Sequence, residues 1–190
     1  MIFVNSMSDL FHNGVSDGYI KQVFDVMIRA DHHVFQVLTK RSDRMLEWTT
    51  SSFQNRRIPK HIWLGVSVEN QDYVWRVHHL QEVPAQIRFL SLEPLLGPIK
   101  FRVNDMRGIH WAIVGGESGP FARPMDPRWA RDLKKQCLQH KVVFFFKQWG
   151  TFNQNGERVG KKMAGRVLDG RTWDQMPQVE SLEHQLSLAI

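Results

Sequence analysis

The feature that most constrains this chain is a recurrence. Six short apolar runs start 24 to 32 residues apart: IFVNS from Ile2, VFQVLTK from Val34, IWLGVSVE from Ile62, IRFLSLEP from Ile87, WAIVGGE from Trp111 and VVFFFKQW from Val142. Each reads as a strand buried on both faces, because the apolar residues run on without the alternation of a half-wet strand. The spacing is that of one strand, a crossover and the next parallel strand. Helical patterns fill most of the gaps. Over 17–30, Ile20, Val23, Phe24, Met27 and Ile28 share one helical face, with Ser16 or Asp17 as the cap. Asn70 caps a helix that turns Val74, Val77 and Leu80 inward, and Asp126 before Pro127 opens another with the stripe Trp129, Leu133 and Cys137. The segment 95–110 carries no helical pattern, which predicts an irregular crossover there.

Repeated βα units either close into a barrel or spread into an open doubly wound sheet. No GxGxxG follows the first run and no GxxxxGK[ST] occurs, so the nucleotide-binding open sheets lose their signature. Six strands also fall short of the eight in a complete barrel. The expectation is an α/β fold, a partial TIM-like barrel over 1–177, with a tail over 178–190 whose spacing at Val179, Leu182, Leu186 and Ile190 suits a short docking helix or a frayed end. A chain of 190 residues, 42% hydrophobic and 23% charged, has the composition of one ordinary globular domain. No apolar run has the length of a membrane span and the start lacks a signal-peptide pattern, so the cytoplasm is the expected compartment and no membrane partner is expected. The single cysteine, Cys137, excludes an internal disulfide framework and a metal or cluster site built on several of this sequence's thiolates.

Loops after the carboxyl ends of parallel strands converge on one mouth, and α/β folds keep their chemistry there. Three runs finish alike, at Ser67 and Glu69, at Ser91 and Glu93, and at Gly115 and Glu117. Period-two alternation puts the outer residues of each small-x-Glu ending on one side of its strand, so the glutamates are expected to form a carboxylate layer at the mouth. Lys40 and Lys147 end two other strands and can compensate the carboxylates or hold a substrate anion; Gln148 follows. The competing structural explanation is an internally neutralised polar layer that merely closes the barrel. Convergence of five charged groups favours a pocket. Around the same mouth, GGESGPFARPMD supplies Gly115 and Gly116 for close backbone approach to a ligand, or for a tight turn, together with Arg123. Asn5, Ser6, Ser8 and Asp9 end the first run with groups that suit a ribose or an amino-acid head, or that cap the following turn.

Other features carry less. The pairs His32, His33 and His78, His79 lack the spacing of a zinc helix and read as surface histidines. No GxSxG elbow is present, and Cys137 sits on a helical stripe rather than a strand end, against a thiol nucleophile. Trp149 suits either stacking on a ring or packing under a loop. The formal net charge of +6 gathers at Arg56, Arg57 and Lys60 and again at Arg158, Lys161, Lys162, Arg166 and Arg171. Such clusters admit nucleic acid or a small anion, and equally a solvated surface.

Seven stretches, IFVNSMSDLF, FQVLTKR, WLGVSVEN, LSLEPLLGPI, WAIVGGESGPFARPM, FFFKQWG and GKKMAGRVLDGRTWDQMP, resemble in order and spacing the consecutive signatures of the phage gene-product thirty-seven / sixty-eight family, a radical-SAM-like group of unassigned substrate. The resemblance runs from about Ile2 to Pro177. It implies a partial barrel of the radical S-adenosylmethionine type. Family members carry a first βα unit with a three-cysteine motif ahead of the segment matching IFVNSMSDLF; the resemblance implies that this unit is missing here, by loss or through a misplaced gene start. IFVNS would then be left as an apolar sheet edge prone to self-association. The resemblance further implies S-adenosylmethionine and a [4Fe-4S] cluster for the full-length family but none on this chain, because a cluster with one open iron needs three thiolates. By the same resemblance, the NSMSD segment would lie near the methionine amino group, Ser67 and Glu69 near the ribose, and Glu93, Glu117, Lys147 and Gln148 toward the substrate. Two functions from different classes follow: a piece of a radical-SAM-like protein that is not catalytic by itself, or a cluster-free binding module for nucleic acid or a neighbouring phage-encoded protein.

Overall fold

The computed structural model describes residues 1–5, 7–54 and 56–178. Ser6 and the tail helix expected within 178–190, apart from Gln178 itself, lie outside the described residues. Among the described residues six strands form, β1 (Ile2–Val4), β2 (Phe35–Thr39), β3 (Ile62–Ser67), β4 (Arg88–Leu92), β5 (Trp111–Gly115) and β6 (Val143–Gln148). They pair in parallel and in chain order, β1 to β6. That order carries the architecture. Right-handed crossovers that always step in the same direction put every connecting helix on the same face, and a sheet covered on one face only curls about the other. The result is a half-barrel rather than an open doubly wound sheet.

The helices are α1 (Asp17–Arg29), α2 (Ser42–Phe53), α3 (Trp75–Glu82), α4 (Pro127–Gln139) and a one-turn α5 (Lys161–Ala164). Ser16 caps α1 by accepting from the Tyr19 N–H, and Asp126 caps α4 ahead of its first-turn proline. Asn70 caps a 3-10 turn, Gln71–Tyr73, that leads into α3. α2 has no side-chain cap and no plain apolar stripe in sequence; it forms because Met45, Trp48 and Phe53 pack against α1 and the sheet, with Trp48 and Phe24 rings 4.7 Å apart. The crossover over 95–110 contains a single 3-10 turn, Val103–Met106, and is otherwise irregular, as expected.

Two apolar clusters occupy the two faces of the sheet. The larger lies under the helices and takes Val37, Leu64, Val66, Leu90, Leu92, Val114, Phe144 and Phe146 from the strands. The smaller fills the inside of the curl with Trp63, Phe89, Trp111 and Ile113, flanked by Phe145. Trp111 sits at its centre, within 5.8 Å of the Trp63 and Phe145 rings and 5.9 Å of Phe89. Gly65 makes room for this layer, since a Cβ there would come within 2.5 Å of the Phe89 ring. Each such ring removes roughly 150–250 Å² from water, worth on the order of 4–6 kcal/mol. The aromatic layer closes the floor of the half-barrel and leaves the carboxyl-end half to Ser67, Ser91 and Gly115. β1 departs from the expectation of two buried faces: among the described residues it pairs only with β2, and Ile2 and Phe3 are 40% and 42% exposed. Among the described residues no helix is long and apolar enough to cross a membrane.

Candidate functional site

A parallel sheet delivers all its carboxyl ends to one rim, so Asn5, Ser8 and Asp9, Lys40, Glu69, Glu93, Glu117 and the pair Lys147 and Gln148 arrive on neighbouring strand ends. Ser67 and Ser91 stand directly opposite each other in the β3–β4 register. Both are buried, at 4% and 5% exposure, and neither hydroxyl exchanges a hydrogen bond with another described residue. Two adjacent hydroxyls, open to the mouth just inside a charged rim, are its clearest ligand-directed feature.

The carboxylates are not a bare acidic layer. Glu69 is buried, with Lys40 Nζ against Oε1 and Arg76 Nη1 2.9 Å from Oε2. Arg76 also donates from Nη1 to the Ser67 carbonyl at 2.8 Å and lies over the Tyr73 ring at 4.1 Å, while its buried Nε has no partner among the described residues. Glu93 accepts from Lys147 Nζ at 2.6 Å and from Gln148 Nε2 at 3.0 Å. Strict alternation would send these consecutive side chains to opposite faces. Val114 pairs with Phe146 but Gly115 with Gln148, so Lys147 is the extra residue of a β-bulge, and the bulge brings both side chains to one carboxylate. Glu117 is clamped by Arg123, through Nε at 2.8 Å, Nη2 at 2.9 Å and the backbone N–H at 2.9 Å. The Arg123 guanidinium, then its backbone N–H, hold the Glu117 carboxyl down at about 2. Glu117 thus organises its own loop, whereas Glu69 and Glu93 are tied across strands.

The loop after β1 is built around Asp9. Its Oδ1 accepts from the Thr39 hydroxyl at 2.7 Å and the Phe11 N–H at 3.0 Å, and its Oδ2 from the Lys40 N–H at 3.1 Å and Arg41 Nη1 at 2.9 Å. With its acceptors occupied, Asp9 anchors this loop to the end of β2. Asn5 adopts a left-handed φ of 58°, its carbonyl taking the Ser8 N–H at 3.1 Å, which leaves the Ser8 side chain exposed. The glycines also divide. A Cβ on Gly115 would lie 3.2 Å from Glu93 Oε1, so its bareness gives Glu93 its place. A Cβ on Gly116 would lie 1.9 Å from the Trp149 carbonyl oxygen, and one on Gly150 2.1 Å from that of Glu117. Here two backbones cross in contact, and glycine serves the fold. Trp149 packs under the following loop, T-shaped to Phe146 at 4.9 Å and donating from Nε1 to the Val167 carbonyl at 2.8 Å.

Arg76 escaped the reading of the sequence; its only signal is an arginine between Val74 and Val77 on the buried side of α3. His78 and His79 bond to Asp105 and Ser42, and among the described residues no three His, Cys, Asp or Glu side chains gather as metal ligands. Cys137 is buried in α4, and burial pushes its thiol up to about 12. A lone, protonated, buried thiol does not fit a [4Fe-4S] cluster.

No curated protein and no solved structure matches the chain. One family pattern does, spanning the sheet, the mouth and the loop under which Trp149 packs: over residues 1–177 the chain belongs to the family described as protein of unknown function (DUF5131).

Proposed function

We propose that the mouth is the ligand side of a radical S-adenosylmethionine-type half-barrel and binds S-adenosylmethionine or a nucleoside of that class. The observation that carries this reading is the pair of unpartnered hydroxyls, Ser67 and Ser91, set side by side beneath Glu69 and Glu93. Vicinal ribose hydroxyls ask for such a row of short polar groups and carboxylates. The ammonium of the methionine moiety would fall to Asn5 and Ser8, since the Asp9 carboxylate is consumed by its own loop. Lys40, Lys147 and Gln148 then frame the substrate side, where their pairing with Glu69 and Glu93 occupies the lysines until a charged ligand exchanges partners with them. The donor set does not fit a cluster, so no radical step is assigned to these residues; the role is to hold and orient.

Equilibrium dialysis with S-adenosylhomocysteine, which is chemically stable, tests this. Saturable binding is expected, weakened about tenfold or more in Ser67→Ala/Ser91→Ala, at about 1 kcal/mol for each hydroxyl lost. No binding to the parent chain, or equal affinity in the double variant, overturns the reading.

A further inference from the structure

The net charge of +6 does not reside at the mouth. There Lys40, Arg41, Arg76, Arg123 and Lys147 are paired with the four carboxylates Asp9, Glu69, Glu93 and Glu117, with Glu69 shared by Lys40 and Arg76. At the opposite end of the sheet, the segments leading into β3, β4, β5 and β6 line two grooves of about 330 and 490 Å³ that share Gly108 and His110. Their described walls hold Arg56, Arg57, Arg88, Arg107 and Lys141 and no aspartate or glutamate. None of the side-chain charges of Arg56, Arg57, Arg107 and Lys141 has a hydrogen-bond or ion-pair partner among the described residues.

Arg88 sits deepest. It donates from Nη2 to the Val83 carbonyl at 2.7 Å, and its buried Nε has no partner among the described residues. Burial first and the charge of Arg57 next lower its pKa, with Glu82 acting the other way. His110 accepts the Arg88 N–H on Nδ1 at 3.1 Å. Burial and Arg88 push it down to about 4, so at neutral pH it is an uncharged ring with its hydrogen on Nε2. Walls that gather five cationic side chains and no described carboxylate are complementary to an anion.

The cations follow the sheet. Entry segments of neighbouring strands lie about 4.8 Å apart, so the row from Arg57 before β3 to Lys141 before β6 extends about 14 Å, too far for one phosphate to satisfy. The ligand is a line of charges. Guanidinium forks match phosphate oxygens. The described walls carry no Phe, Tyr or Trp, so nothing there provides the stacking on which single-strand binders rely. We propose that this trough is a binding track for the phosphate backbone of a nucleic-acid duplex, read without regard to base sequence. The proposal does not depend on what the mouth binds.

Fluorescence anisotropy with two labelled 20-base-pair duplexes of unrelated sequence tests it. Equal affinity for both is expected. With about four phosphates engaged, log K against log salt should fall with a slope of about −3.6, a loss of about 150-fold between 50 and 200 mM salt. Arg107→Gln and Lys141→Gln, both at exposed side chains, should each flatten the slope by about 0.9, whereas Lys161→Gln/Lys162→Gln should leave it unchanged. Absence of duplex binding or a slope indifferent to Arg107→Gln and Lys141→Gln overturns the proposal. So does tighter binding of a single strand, or displacement of the duplex by polyglutamate at equal charge.

Discussion

Replacing Gly116 by alanine asks whether the glycine pair after β5 exists for a ligand or for the fold. The added Cβ would lie 1.9 Å from the Trp149 carbonyl oxygen, and real Cβ atoms essentially never come within 3.0 Å of such a neighbour, so the two backbones must part by at least 1.1 Å. Neither can yield alone. The Gly116 N–H is bonded to the Gln148 carbonyl at 2.9 Å and the Thr151 N–H to the Glu117 carbonyl at 2.8 Å, and a displacement of that size breaks both. Two backbone hydrogen bonds are worth about 2 kcal/mol. Opening the crossing also wets roughly a third of the buried Trp149 ring, about 70 Å², or close to 2 kcal/mol. The expected loss is about 4 kcal/mol. With a urea m-value of about 2 kcal/mol/M, the unfolding midpoint followed by tryptophan fluorescence should fall by about 2 M with the slope unchanged. Gly150→Ala prises open the same crossing from the other side, so the double variant should cost clearly less than the sum of the singles. A midpoint shift under about 0.5 M for Gly116→Ala would refute the reasoning and return Gly116 to the list of ligand-facing positions.

Three further outcomes follow from the geometry. Because Arg123 holds Glu117 at about 2 instead of 4.5, their pairing stabilises the fold fully above the unfolded value and loses that contribution as pH falls from 4.5 toward 2. Arg123→Gln should move the Glu117 carboxyl titration, read by carbon NMR, up into the ordinary carboxylate range; a wild-type midpoint already near 4.5 would contradict the clamp. Cys137, pushed up to about 12 and buried, should resist a thiol reagent in the native chain and react at once in denaturant; rapid native labelling would contradict its burial. The β1 edge, with Ile2 and Phe3 exposed, should promote self-association that Phe3→Lys relieves. Light scattering that finds the wild-type chain monodisperse and monomeric would count against it.

The six strands, three of the principal helices and the irregular crossover over 95–110 were legible because each depends on short-range pattern: continuous apolar runs, a stripe with period 3.6, a cap. α2 was not, since Trp48 and Phe53 acquire their inward face only against α1. Alternation also placed Ser67, Glu69, Ser91 and Glu93 on one rim, for the side-chain period of a strand is set by its covalent geometry. It could not place Lys147 and Gln148 together, because a bulge is a mismatch between two strands and neither strand alone encodes it.

Charge divides in the same way. By itself the sequence determined a net excess of +6, a strand-end set of glutamates and lysines, and a thiol count too low for a cluster. Only the tertiary structure decided that Arg76 and Lys40 share Glu69, that Arg123 belongs to Glu117, and that Arg57, Arg88, Arg107 and Lys141, spread over some 85 positions, line adjoining walls free of described carboxylates. Composition is additive along the chain, but compensation falls off within several ångströms. Which charges cancel is therefore settled by the folding of strands beside one another.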